Sequence, residues 1–374
     1  MSQRDTPAYR PVENGGDPYG THRAVIPPGG LPQPAWRLDN DFSRLFSGEL
    51  LLAADALNID AASFAQIAEA ARHAGAGASG LVADSHEADP LANGIAHIVL
   101  RTVADRGKQH NPVTGSGGML LGRVIQIAAG RRPESLAVGD RVATLVSLTL
   151  TPLRIDRVRA VRIASAQIDI VGEAVLFSSG AYAKLPADLP ERLALAILDV
   201  AGAAPQVARF VKPLQRVAVL GAGGKSGVLC CAEARRTAGP GARVVGVESS
   251  ERAVSELRAL GFCDSVQVAD ARDPVAVRGA VLEAFGGHEA DVTFSCVNVP
   301  DAEMAAVLST RDRGQVYFFA MSTSFTKAAL GAEGVGKDVD LFIGNGYASG
   351  HAEHTLAMMR DFPAVRALFE RRYG

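Results

Sequence analysis

The chain has 374 residues, more than one hydrophobic core usually holds, so two domains are expected. Apolar residues make up 48% and charged residues 21%, and 38 basic against 40 acidic side chains leave a net charge of −2. So balanced a surface offers no field for a polyanion, and neither nucleic acid nor an anionic membrane is expected as a partner.

The opening MSQRDTPAYRPVENGGDPYG has no apolar stretch of the kind a secretory signal needs, and no later run reaches the length of a membrane span, so a cytoplasmic location is expected. Residues 1–18 are rich in Pro, Gly and charge and are expected to form a disordered tail. Next, GELLLAADALNID predicts a strand, and Asp60 then caps a helix with Phe64, Ile67, Ala68 and Ala71 on one face. Short strands are predicted at 97–103, 122–128, 141–145 and 159–163, which together suggest a compact, mostly β domain. Pro186 and Pro190 frame a junction, and LALAILDVAGAAPQVARF reads as one long apolar helix. Beyond it RVAVLGA, RVVGVE, SVQVAD, VTFSCV and QVYFFAM alternate with helical stretches beginning near Ser226, Glu251, Pro274 and Asp301. Strand and helix in strict turn imply a doubly wound parallel sheet. From residue 324 the alternation stops, and the segment is expected to return to the first domain.

The expected class is therefore α/β: a Rossmann domain over 186–323, and a mostly β, GroES-like catalytic domain over 19–185 and 324–374. That is the plan of medium-chain dehydrogenases. In VAVLGAGGKSGVLCCAEA an apolar strand runs into Gly221, Ala222, Gly223, Gly224, Lys225, Ser226 and Gly227 and then into a helix. Small residues there permit a tight turn, let the backbone approach a pyrophosphate and leave helix-start N–H groups facing the anion. Glu248 closes the next predicted strand, 21 residues beyond Gly227, where a carboxylate takes ribose hydroxyls, with Ser249 beside it. It would repel a 2′-phosphate, so NAD is the expected cofactor; the competing role for Glu248 is to cap the helix that follows. Lys225 either neutralises a cofactor phosphate or is solvated. Gly224-Lys225-Ser226 is not a Walker A loop, because Val219 stands where that motif needs glycine. Asp270 and Asn298 follow the third and fourth predicted strands, where ligands gather or where turns form. Met321, Ser322 and Thr323 end QVYFFAM and are placed to meet the nicotinamide amide.

Catalytic zinc in this plan draws on Cys or His ligands in the first domain, and no cysteine precedes Cys230. The early histidines show no ligand spacing, and His351-Ala352-Glu353-His354 fits no helix-borne zinc motif. No metal is expected, and four cysteines confined to the second half are no disulfide framework.

Several polar segments carry a more specific likeness. RGKQHNPVTGSGGMLLG, ATLVSLTLTPL, ILDVAGA, GAGGKSG, YFFAMSTSFTKAALGAEGVGKDV and IGNGYASGHAE resemble L-erythro-3,5-diaminohexanoate dehydrogenases, from about Tyr19 to Arg360. The resemblance implies a zinc-free medium-chain fold, a homodimer, and oxidative deamination by NAD of the C3 amine of a diamino acid, with release of ammonia to leave 5-amino-3-oxohexanoate. It supplies no catalytic base.

Such chemistry needs a base, and the substrate brings a carboxylate and a second ammonium. Asn111, Thr114 and Ser116 are expected to hydrogen-bond substrate, with Lys108 or His110 near its carboxylate; Ser147 with Thr149 lines the same cavity or merely alternates on a strand. Asp60 is a candidate base or amine anchor, its alternative being a plain N-cap. Asp199, in an apolar run, needs a partner or a cleft. Glu333, flanked by glycines, is the other candidate base, against a surface-loop position. Two further readings stay open: a zinc-free quinone or enoyl reductase, which favours NADPH and releases no ammonia, and a dinucleotide-binding protein without turnover.

Overall fold

The computed structural model describes residues 9–74, 89–111, 115, 117–130, 136–320, 322–344 and 346–373. The chain divides into two compact units, Met1–Asp199 and Val200–Gly374.

The strands of the first unit are β1 (Val12–Glu13), β2 (Ala24–Ile26), β3 (Arg37–Leu38), β4 (Leu45–Phe46), β5 (Leu50–Asn58), β6 (Met119–Ile127), β7 (Arg141–Thr144), β8 (Leu153–Arg162), β9 (Gln167–Leu176) and β10 (Tyr182–Lys184). Its helices are α1 (Ala61–Ala74), α2 (Pro90–Arg106) and α3 (Glu191–Leu198). Six strands form one antiparallel sheet, ordered β10-β7-β6-β5-β9-β8. Leu50, Leu52 and Leu57 of β5, Leu120 and Val124 of β6 and Ile168 and Ile170 of β9 share a core with Phe64 of α1 and Ile95 and Val99 of α2.

Two expectations are corrected in this unit. Residues 97–103 lie inside helix α2: Asp89 caps it through Leu91 N, Pro90 opens its first turn, and Gly107 at φ 66 ends it. Those start and stop signals outweigh the β-branched run between them. Nor are residues 9–18 a tail. β1 pairs in parallel with β4, and the Arg10 guanidinium forks onto Glu173 at 2.5 and 3.0 Å while the Arg10 main-chain N–H donates to Gln126 Oε1.

The second unit runs α4 (Ala203–Phe210), β11 (Arg216–Leu220), α5 (Lys225–Ala238), β12 (Arg243–Glu248), α6 (Glu251–Leu260), β13 (Ser265–Val268), α7 (Pro274–Ala284), β14 (Ala290–Ser295), α8 (Glu303–Ser309), β15 (Thr310–Phe318), α9 (Phe325–Gly334), β16 (Val339–Ile343), α10 (His351–Asp361) and α11 (Pro363–Tyr373). Its sheet is wholly parallel, ordered β13-β12-β11-β14-β15-β16. In chain order this is 3-2-1-4-5-6, the doubly wound dinucleotide-binding arrangement. Val217, Ala218, Val219 and Leu220 are fully buried, as a central strand covered on both faces requires.

The segment after 324 does not return to the first unit. β16 pairs with β15 from Gly314↔Val339 to Phe318↔Ile343 and becomes the sixth strand of the parallel sheet. LALAILDVAGAAPQVARF is two helices, α3 and α4, and Gly202 just before α4 lies so close to the Gly346 main chain that no Cβ fits. Among the described residues no single helix is long and apolar enough to cross a membrane.

One buried ion pair ties the early strands to β5. Arg23 is fully buried, and its Nε and Nη2 each donate to Glu49 at 2.8 Å, while Nη1 reaches Asp39 and the Asp41 carbonyl. Burial alone would raise the Glu49 carboxyl, but hydrogen bonds from Arg23 and His22 hold it below its ordinary 4.5. A depressed carboxyl contributes stability above its unfolded pKa and loses it as the pH falls through the folded value. Arg23→Ala, which leaves Glu49 buried and unpaired, should cost about 3–5 kcal/mol in urea unfolding at neutral pH. A loss below about 1 kcal/mol, the range of exposed pairs, would show that the pair holds nothing.

Candidate functional site

RVAVLGAGGKSG folds as strand, turn and helix start. β11 ends at Leu220, Gly221 turns the chain at φ 69, and α5 begins at Lys225 with no side-chain cap. The first N–H groups of α5 are thus left for an anion. Gly227 lies so near the turn that a Cβ would run into the Gly221 oxygen and Ala222, so only glycine lets the helix start this close.

Glu248, the last residue of β12, reaches the turn. Its Oε2 accepts from Gly223 N at 3.0 Å, and its Oε1 accepts from Ser249 N at 2.8 Å and the Ser249 hydroxyl at 3.3 Å. A cavity of about 420 Å³ opens here, lined among others by Gly221, Gly224, Glu248, Ser249, Asp270 and Asn298. It lies at the carboxyl ends of neighbouring parallel strands, where the winding reverses between β11 and β14, and it is of ordinary ligand-pocket size. Arg272 forks onto Asp270 at 2.6 to 3.1 Å and holds that carboxyl down to about 2. Cys296, also on the lining, has its Sγ 3.7 Å from that of Cys230.

The first unit holds a separate polar cluster. Asp60 caps α1: its Oδ1 accepts from Ser63 N at 2.8 Å and its Oδ2 from the Ser63 hydroxyl at 2.6 Å. The Ser63 oxygen accepts in turn from Asn111 Nδ2 at 2.9 Å. Ser63 and Asn111 are buried and Asp60 is half-buried, so the hydroxyl proton is directed at the carboxylate. Gly117, in the same loop as Asn111, packs where a Cβ would lie 2.7 Å from the Gln109 oxygen and 3.2 Å from Thr149 N. Ser147 caps the short turn Leu148–Leu150, its Oγ accepting from the Thr149 hydroxyl at 2.9 Å. Among the described residues, Gln109 Oε1 and His110 Nδ1 are buried without a hydrogen-bond partner. A buried polar group left without a partner costs about 1–3 kcal/mol. Burial, with Arg106 and Lys108 nearby, pushes His110 down to about 4, so its ring is neutral near pH 7.

The family model for the L-erythro-3,5-diaminohexanoate dehydrogenase N-terminal domain matches residues 22–186. A protein of that name from Acetoanaerobium sticklandii is 50% identical over 356 residues, which cover 95% of this chain and 98% of the relative. The chain belongs to the L-erythro-3,5-diaminohexanoate dehydrogenase family. A second protein of the same name, from Fusobacterium nucleatum, is 48% identical over the same shares of both chains. Among solved structures, the CurK enoyl reductase matches with a TM-score of 0.52 at 12% identity, over 84% of this chain and 79% of its own, a likeness of medium-chain fold alone.

Several residues expected at the site of this family member stand elsewhere. Lys108 does not face a substrate carboxylate: it is fully buried, and its Nζ donates to the carbonyls of Pro32 at 2.6 Å and Gln33 at 2.9 Å. Burial and the neighbouring Arg106 push it down to about 8. Glu333 is an exposed residue of helix α9 rather than part of a glycine loop. Asp199 is half-buried at the end of α3, its N–H donating to Leu195 O. Lys225 lies with its Nζ 5.7 Å from the Tyr373 ring and off the cavity lining. Ala222 is buried, and Ser226 hydrogen-bonds Cys296. The Ser322 hydroxyl donates to Val297 O at 3.2 Å and Thr323 N to Ala320 O at 3.3 Å, so both brace the turn after β15. Thr114, Ser116 and Met321 lie outside the described residues. Among the described residues no three His, Cys, Asp or Glu side chains are grouped to hold a metal ion.

Sequence reasoning passed over Ser63, Gln109 and Cys296. The Asp60-x-x-Ser63 spacing was the available signal for the first, since it is the spacing at which a cap meets its helix. The turn itself yields a test. Gly227→Ala must push α5 off Gly221, so dinucleotide affinity in a fluorescence titration should fall by about tenfold or more, a loss of at least 1.4 kcal/mol. Undiminished binding by folded variant would show that the turn is not the pyrophosphate site.

Proposed function

We propose that the protein oxidises the C3 amine of L-erythro-3,5-diaminohexanoate with NAD, and that water then releases ammonia to leave 5-amino-3-oxohexanoate. The observation that carries this reading is the 50% identity to a dehydrogenase of that name across nearly the full length of both chains. The polar loop segment of the first unit lies within that span and within the family match.

The chemistry fixes what the residues must do. An ammonium has no lone pair to form a C=N bond, so the amine must lose a proton before or as the C3–H bond breaks. Bound NAD supplies the acceptor for the hydride. Asp60 is the group we assign to take the amine proton: Ser63 and Asn111 fix its orientation, and the capped helix holds its backbone. Water then adds to the imine carbon and the C–N bond breaks, which balances as one NADH and one ammonia per substrate. The unpartnered Gln109 Oε1 and the neutral ring of His110 are acceptors suited to substrate N–H groups rather than to its carboxylate.

Glu248 supports NAD over NADP, because a carboxylate at the end of β12 binds ribose hydroxyls and repels a 2′-phosphate. The second unit would hold the dinucleotide through Gly221, Gly224, Glu248 and the start of α5.

Incubating the protein with the diamino acid and NAD should yield NADH and ammonia in equal amounts; NADH without ammonia would overturn the deamination. Asp60→Asn keeps a good helix cap but removes the carboxylate, so kcat/KM should drop about a hundredfold while the melting temperature barely moves. An unaltered rate takes Asp60 out of the chemistry. Glu248→Ala should reduce the preference for NAD over NADP by about tenfold, equivalent to losing one charge-assisted hydrogen bond. Equal discrimination before and after substitution would remove that role.

A further inference from the structure

Gly223 sits at the meeting point of three elements. Its N–H donates to Glu248 at the end of β12, and its carbonyl accepts from Arg372 Nη1 at 2.7 Å. A Cβ there would lie 2.6 Å from that of Ala253 in α6. The second arm of the Arg372 guanidinium pairs with Glu256, also on α6. Arg372 belongs to the last turn of α11, a helix already anchored by the buried Val365, Leu368 and Phe369. Its fork joins that anchored helix to the glycine turn through one arm and to α6 through the other.

We infer that Arg372 is a positioning residue for the dinucleotide, clamping the Gly223 carbonyl so that the glycine turn keeps its binding shape. This rests on the reading of the turn as the pyrophosphate site. The argument is one of peptide geometry. The Gly223 carbonyl and the Gly224 N–H belong to one planar trans peptide and point in opposite directions. Arg372 fixes the carbonyl, and the Gly224 N–H thereby faces the Gly221 carbonyl, to which it donates at 3.2 Å. That bond closes the turn and sets the direction of the helix-start N–H groups that follow. Without the clamp the peptide can rotate, and cofactor binding must restore the order. Arginine suits the task because a planar fork bonds a carbonyl and a carboxylate at once, which a single ammonium does not.

The test uses the full chain and NADH titration, alongside kinetics with NAD and the diamino acid. Arg372→Ala should raise the Kd for NADH and the KM for NAD by about tenfold, the equivalent of one charge-assisted hydrogen bond, with kcat at saturating NAD within about twofold. Arg372→Lys should recover part of the loss. A Kd within about twofold of the unaltered protein, or a fall in kcat with KM unchanged, overturns the clamp. If Arg372→Ala does not fold, Glu256→Gln, which frees the second arm, should still raise the Kd by about threefold, and an unchanged value overturns the clamp equally. Failure of the unaltered protein to bind NADH would sink the reading of the turn itself, a result distinct from any effect of Arg372.

Discussion

A helix cannot satisfy its own first N–H groups, and the second unit is arranged around one helix start where that deficit is left open. α5 begins without a side-chain cap directly after the turn from β11. The turn must then be nearly free of side chains, which the run from Gly221 to Gly224 provides. The strand order follows the same logic. With β12 and β14 on either side of β11, the chain winds away in both directions, and the crevice at the strand ends lies beside α5. Glu248 ends β12 and Cys296 follows β14, so the crevice receives a carboxylate from one neighbour and a thiol from the other.

The polar cluster of the first unit obeys the opposite rule, because it sits against an apolar sheet where unpaired groups are costly. Ser63 and Asn111 are tolerated because the Ser63 hydroxyl both donates and accepts, linking Asp60 to Asn111. Lys108 is tolerated because two main-chain carbonyls receive its N–H groups. Among the described residues, Gln109 Oε1 and His110 Nδ1 have no such compensation. The bonded groups hold the structure, and the other two are the acceptors to which the proposed function assigns substrate N–H groups.

Much of this was legible in the sequence, and the failures have physical causes. Strand, turn and helix were readable here because they follow one another locally, and Gly221, Gly224, Glu248, Asp270 and Asn298 line one cavity. Helix α2 was misread because Ile98, Val99 and Val103 are β-formers; Asp89, Pro90 and Gly107 mark its ends, and end signals carry more information than interior propensity here. β16 was missed because an edge strand is covered on one side only. Its burial is mostly partial, and Asp338 and Asp340 conceal the apolar pattern. Glu333 misled through its flanking glycines, yet Gly331 lies in helix α9 because the Met304 sulfur fills the space a Cβ would take. No local pattern reveals a tertiary cause of that kind.

In residues 106–110 the fold changes what the side chains offer from what their types suggest. RGKQH reads as a cationic stretch, and a cation near a substrate carboxylate was the natural inference. Folding changes the charges: burial holds His110 neutral near pH 7 and brings Lys108 down to about 8, and Arg106 presses both in the same direction. The Lys108 ammonium is also turned onto the carbonyls of Pro32 and Gln33. What the loop then offers is an amide oxygen and an imidazole nitrogen, next to an asparagine that leads through Ser63 to Asp60. A diamino acid carries two amines to one carboxylate, so a lining of acceptors with a single nearby carboxylate suits it better than a row of cations. One of those amines must also be made neutral before hydride can leave, and the proposed route for that proton is Asp60, the carboxylate held by Ser63 and, through it, Asn111.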